Sequence, residues 1–203
     1  MGRFKIKKQD TFIDMTPMSD VMVLLLTFFM LTATFVKDEP VKVVAPGSVS
    51  EIKIPETNLL TIFIDKSGKV FMNMDSPAGM DKLVKEMKKS HGLRLSAEET
   101  KAFVQVPMFG TKKSALSSWL KLESAERNTF LNEDAKAGIP CDSTNDELKD
   151  WVGAARAACG QDMGIAIKAD KHMSYAVIKR VMDSLRSIHE NRYNLITALK
   201  NEE

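Results

Sequence analysis

The sequence has little of what most simple functional assignments need. It holds two cysteines and three histidines in 203 residues. Cys141 and Cys159 form no C-x-x-C pair, which excludes a thioredoxin-like redox motif and a zinc ribbon. His91, His172 and His189 are scattered without metal-ligand spacing, and His172 reads as a surface residue rather than a base. No Gly-x-Ser-x-Gly elbow and no phosphate-binding loop is present, so an enzyme has little support and no metal or cofactor is expected. Neither sign of charge dominates, with 29 Lys and Arg against 27 Asp and Glu. That balance gives no polyelectrolyte signature for a nucleic-acid partner. Ten glycines and seven prolines are too few for a low-complexity chain. With 44% apolar and 28% charged residues, the composition is that of an ordinary globular core.

What is present is unevenly placed. From Val21 to Val36 the sequence VMVLLLTFFMLTATFV carries no charge. Counted from Pro17, the twenty residues to Val36 would form a helix of about 30 Å, roughly one hydrocarbon thickness. Arg3, Lys5, Lys7 and Lys8 precede the run, opposed only by Asp10 and Asp14, whereas Lys37, Asp38 and Glu39 follow it with no basic excess. The positive-inside rule then puts the N-terminus in the cytoplasm and residues 38–203 across the membrane. A cleaved signal peptide fits less well: the run is long for a signal h-region, and Thr32-Ala33-Thr34 is a poor small-residue site. In an oxidising compartment Cys141 and Cys159 become candidates for a disulfide worth about 3 kcal/mol.

The expected fold is α+β: a single N-terminal transmembrane helix, then a small periplasmic α+β domain with an inserted, mainly helical lobe. Residues 1–16 read as a cytoplasmic segment, 17–36 as the membrane helix and 37–58 as a linker. Pro40, Pro46, Gly47 and Pro55 keep that linker from being one long helix, and Glu51-Ile52-Lys53-Ile54 alternates like a short strand. The domain is expected over 59–203. Residues 59–64 and 69–72 read as a hairpin around Asp65-Lys66-Ser67-Gly68. Ser76-Pro77 opens a helix to about Ser90, with Met80, Leu83, Val84 and Met87 on one face and Gly92 as its stop. Residues 93–162 read as the inserted lobe. It has a capping box at Ser96–Glu99 and helical patterns to about Val104, over 112–137 and over 146–158, with Trp119 and Trp151 as core anchors. A buried strand over 163–169, an amphipathic helix over 174–190 and a closing strand over 194–199 complete the chain. Its helices are expected on one face of the sheet.

One carboxylate stands out. Thr16 is a suitable N-cap, Pro17 suits the first turn, and Asp20 falls about one turn inside the apolar helix. Thr16, Thr27 and Thr34 share its side of the helix, forming a polar stripe. An ionisable group in a membrane helix is expensive unless it faces protein or water. Burial in hydrocarbon works against a charged carboxylate, while a helix N-terminus works for it, so such a group can change charge with its surroundings. From the residues alone, an interfacial cap and a proton carrier stand equal.

The run Asp14-Met15-Thr16-Pro17-Met18-Ser19-Asp20-Val21-Met22, followed by the leucine-rich stretch to Phe29-Met30, resembles the membrane signature of the ExbD/TolR family. A second stretch, Ala169-Asp170-Lys171, then Tyr175, then Val181-Met182-Asp183, is similar to the family's periplasmic motif and comes in the expected order. The resemblance implies that Asp20 is the proton-carrying residue. It also implies a homodimer set in a ring of ExbB-like (or TolQ-like) multi-span proteins and driving a TonB-like (or TolA-like) energy transducer. Ile52-Lys53-Ile54-Pro55 is similar to the extended segment the family uses near its dimer and partner groove. Asp14 and the stretch 93–162 depart from the family's pattern. The expected role is an ExbD-like subunit powering outer-membrane transport, with a TolR-like role or a membrane-tethered binding module as the alternatives.

Overall fold

A computed structural model describes residues 16–33, 40–48, 58–142, 144–196 and 198–199. The chain divides into two compact units, Met1–Lys37 and Asp38–Glu203.

The first unit contributes one helix, α1 (Thr16–Thr32), in which no residue is buried. Its 17 residues give a length of about 26 Å. Among the described residues no helix is long and apolar enough to cross a membrane. The twenty-residue helix expected over 17–36 is therefore described only as far as Thr32.

The second unit is mixed α and β. A two-residue strand β1 (Gly47–Ser48) comes first. Strands β2 (Leu59–Ile64) and β3 (Val70–Met74) form the expected hairpin, its turn closed by Gly68 N–H donating to Asp65 O at 2.8 Å. Helix α2 (Pro77–Ser90) follows, with Ser76 Oγ accepting from Gly79 N. Met80, Leu83, Val84 and Met87 are its buried stripe, and Gly92 takes the left-handed backbone (φ 62°) that ends it. Helix α3 (Ala97–Gln105) starts in the capping box, with Glu99 N–H donating to Ser96 Oγ and Ser96 N–H to the Glu99 carboxylate.

The helix expected over 112–137 is instead two, α4 (Leu116–Leu120) and α5 (Ser124–Glu133). Glu123 starts the second through a reciprocal contact with Glu126, a capping box built on glutamate that the usual cap residues do not announce. Helix α6 (Glu147–Cys159), capped by Asp146, strand β4 (Gly164–Ala169) and helix α7 (Tyr175–Ser187), capped by Ser174, lie close to expectation. The closing strand is divided into β5 (Asn194–Leu195) and β6 (Ala198–Leu199).

The main sheet runs β3-β2-β4-β5. Its hairpin pair is antiparallel, and β2–β4 and β4–β5 are parallel; β1 pairs with β6 in a separate two-stranded piece. Every residue of β2 is buried. Successive side chains of a strand point to opposite faces, so both faces of the sheet are covered at its centre. The unbroken apolar run Leu59–Ile64 is the pattern a doubly covered strand shows.

Residues 93–162 do not bury a core of their own. Phe103, Phe109, Leu116, Trp119, Leu148 and Trp151 belong to one apolar cluster with Ile62, Phe71, Leu83 and Ile165. At its centre Trp151 lies against Phe103 (centroids 6.0 Å apart, stacked) and Phe109 (4.9 Å, tilted). Both tryptophans are buried, as the sequence suggested. The same stretch closes one side of the sheet. Met72 and Phe109 exchange two backbone hydrogen bonds of 2.8 and 2.9 Å, and Ile139 N–H donates to Val70 O at 2.8 Å. Gly110 permits this approach, because a Cβ there would sit 2.1 Å from Phe71 Cδ1.

Candidate functional site

Helix α1 presents an apolar surface on all sides. Its large apolar residues are between 51% (Leu25) and 87% (Leu31) exposed. Asp20 is the one charged residue among Thr16–Thr32, and it too is exposed. Helical spacing puts Thr16 and Thr27 on its side. Thr27 Oγ1 donates back to Leu24 O at 3.0 Å, and Thr32 Oγ1 to Phe28 O at 2.8 Å. Threonine hydroxyls in apolar helices satisfy themselves in this way, leaving their lone pairs as acceptors. The stripe is thus weakly polar, and Asp20 is its one ionisable group. Thr34, the fourth residue of the stripe, and the proposed partner strand Ile52-Lys53-Ile54-Pro55 lie outside the described residues.

The second motif singled out in the sequence, Ala169-Asp170-Lys171, sits where β4 ends. Asp170 is 7% exposed, the kind of buried carboxylate that needs partners. It has two from the backbone: His172 N–H donates to Oδ1 at 2.9 Å and Val44 N–H to Oδ2 at 3.2 Å. The His172 N–H first, and the Val44 N–H with it, hold the carboxyl below the usual aspartate range against the opposing effect of burial. Lys171 N–H returns a bond of 2.9 Å to Val44 O. Tyr175, the third element of the motif, is exposed at the start of α7. Asp183 is also exposed, whereas Val181 is buried.

The two cysteines do not meet. Both are free thiols. Cys141 lines an open cleft of about 470 Å³ with Lys69, Lys136 and Arg180, and burial pushes its thiol pKa up. Cys159 lines a different cleft of about 460 Å³ beside Asp75 and Ser76, its Sγ 4.0 Å from Met74 Sδ. The two thiols thus line different clefts, a separation that the sequence could not show. Among the described residues no group of three or more His, Cys, Asp or Glu side chains is arranged to hold a metal ion.

The decisive comparison is with protein families. The model for biopolymer transport protein ExbD/TolR matches residues 7–199. The chain belongs to the ExbD/TolR family. No curated protein and no solved structure matches it. ExbD/TolR proteins are biopolymer-transport motor subunits of the inner membrane, and they work with ExbB or TolQ and with TonB or TolA. The match spans residues 93–162, so that stretch lies within the family region. Sequence reasoning named Asp170 as part of a motif and missed what it holds. The Val41-Lys42-Val43 alternation was the available signal, and it lay in a stretch read only as linker.

Proposed function

We propose that this chain is an ExbD-like subunit of a proton-motive-force-driven inner-membrane motor that energises TonB-dependent outer-membrane transport. One observation carries the reading: a helix apolar on every side holds a single carboxylate, Asp20, in a chain of the ExbD/TolR family. Such a surface has to be covered by lipid or by other apolar helices, and a carboxylate within it is a functional position by default. The uncharged run to Val36 supplies the length of a membrane helix over 17–36. The basic N-terminal segment then stays cytoplasmic, and residues 38–203 stand in the periplasm.

In this reading two copies pair within a ring of ExbB-like multi-span subunits. Protons crossing the ring alternately neutralise and release Asp20 on the two helices. The motion passes to a TonB-like transducer. A TolR-like role, with TolQ-like and TolA-like partners, is the competing assignment within the family, and the neighbouring genes decide between them. The reading is tested by Asp20→Asn in the full chain. Energy-dependent uptake should fall to background while expression and assembly with the ring stay normal. Unchanged uptake would sink the motor reading and leave the helix as an anchor for a periplasmic binding module.

A further inference from the structure

Residues 40–46 are laid against the domain at two separate places. At the start, Asn132 Nδ2 of α5 donates to Pro40 O at 3.0 Å. The same amide is steadied by Asn128 O at 2.9 Å, and Asn132 O accepts from Lys69 Nζ at 3.0 Å. At the end, Val44 is held by both its backbone groups, N–H by the Asp170 carboxylate and C=O by Lys171 N–H. Between these points Val41 and Val43 are buried in the core, at 3% and 7% exposure, while Lys42 and Val44 face outward. This alternation is that of a strand, yet the partner here is a side-chain carboxylate in place of a neighbouring strand's carbonyl. Asp170 is itself fixed, its N–H bonded to Ile64 O at 3.0 Å in the central strand.

We infer that residues 40–46 form a strap through which the N-terminal helix works on the domain, and that Asp170 and Asn132 form the clasp that sets its length. The inference rests on the motor reading above. In that reading the helix ends at Val36, so three residues (37–39) lead from it to Pro40, and a fully extended chain over that step reaches at most about 14 Å. With the clasp undone, the next residue paired to the domain is Gly47, and the reach becomes about 40 Å. A tether lengthened nearly threefold lowers the effective concentration of one end at the other by about fivefold. A short strap passes a displacement on; a long one absorbs it. Asp170 and Asn132 are positioning residues in this scheme: neither touches a proton path, and both fix where the pull arrives.

The test separates strap from motor. Val44→Pro removes the one N–H that Asp170 holds at the strap and leaves the His172 bond intact; an extended segment tolerates proline. In the purified full chain, trypsin cleavage after Lys42 should rise at least tenfold, and proton-driven activity in cells should fall about fivefold. Inserting six Gly/Ser residues between Asp38 and Glu39 should reproduce the activity loss with cleavage after Lys42 unchanged, because it lengthens the tether and leaves the clasp alone. Unchanged cleavage in Val44→Pro, or raised cleavage with full activity, overturns the proposal, as does a silent insertion. Should Val44→Pro lose its cooperative thermal unfolding, the insertion alone decides. Loss of activity in Asp20→Asn with full activity in both strap variants removes the strap and keeps the motor; full activity in Asp20→Asn removes the motor itself.

Discussion

Helices α1 and α2 are 17 and 14 residues long, and both carry many apolar side chains. In α2 those side chains fall at i, i+3, i+4 and i+7, and all four are buried against the rest of the unit. In α1 they go all the way round, and none is buried. The first pattern is a helix that completes its environment within its own chain. The second finds no such environment among the described residues of its own unit, and in the proposed reading lipid or partner helices supply it. Stability is therefore stored in the second unit, whereas Asp20, the residue proposed to carry protons, lies in the first.

That contrast can be broken or sharpened by substitution. The largest effect is expected from Trp151→Ala, which empties the space against Phe103 and Phe109. It should cost about 4 kcal/mol, and for a domain of this size the thermal midpoint should drop by about 12 °C. Next comes a matched pair. Met87→Ala in α2 should cost about 3 kcal/mol, while Leu24→Ala in α1 should leave the unfolding of the domain where it was, measured on the full chain in detergent. A comparable loss for Leu24→Ala would mean that α1 belongs to the domain's core after all. Ser96→Ala, which removes one half of the capping box of α3, should cost about 1 kcal/mol.

The smallest effect is a pH dependence. The Asp170 carboxyl titrates lower in the folded chain than in the unfolded one, so its contribution is complete above about pH 4 and fades as pH falls through the lower folded value. The stability difference between the wild type and Asp170→Asn should thus stay constant from pH 8 to pH 5 and shrink only in stronger acid. A difference that narrows already between pH 7 and 5 would contradict the hydrogen-bonded carboxylate seen at the end of β4.

Where the deciding interaction lies within a few residues, the sequence displays it. The caps at Ser76, Ser96 and Asp146, the Asp65–Gly68 turn and the stripe of α2 are all local, and the elements they set appear as expected. The Asp170–Val44 bond joins residues 126 positions apart, so nothing near either residue announces it. The doubly covered sheet escaped for a related reason. A continuous apolar run shows that a strand is buried on both sides, but the covering residues come from stretches distant in sequence. The separation of Cys141 from Cys159 is likewise a fact of packing. Of the candidate site, the carboxylate and its helix were legible, and the device that connects them to the domain was not.

The sealed side of the main sheet has a last consequence, in the arithmetic of assembly. At β3 the Val70 carbonyl is taken by Ile139 and both backbone groups of Met72 by Phe109, which closes that stretch of the edge to a foreign strand. The sheet ends on the other side at β5, with two residues. An object with two open sides can propagate without limit, as fibres do; one with a single open side has a valence of one. Two such sheets can join edge to edge and are then saturated. Closing the β3 edge from within removes one of the sides at which a sheet of this kind could propagate into a fibre.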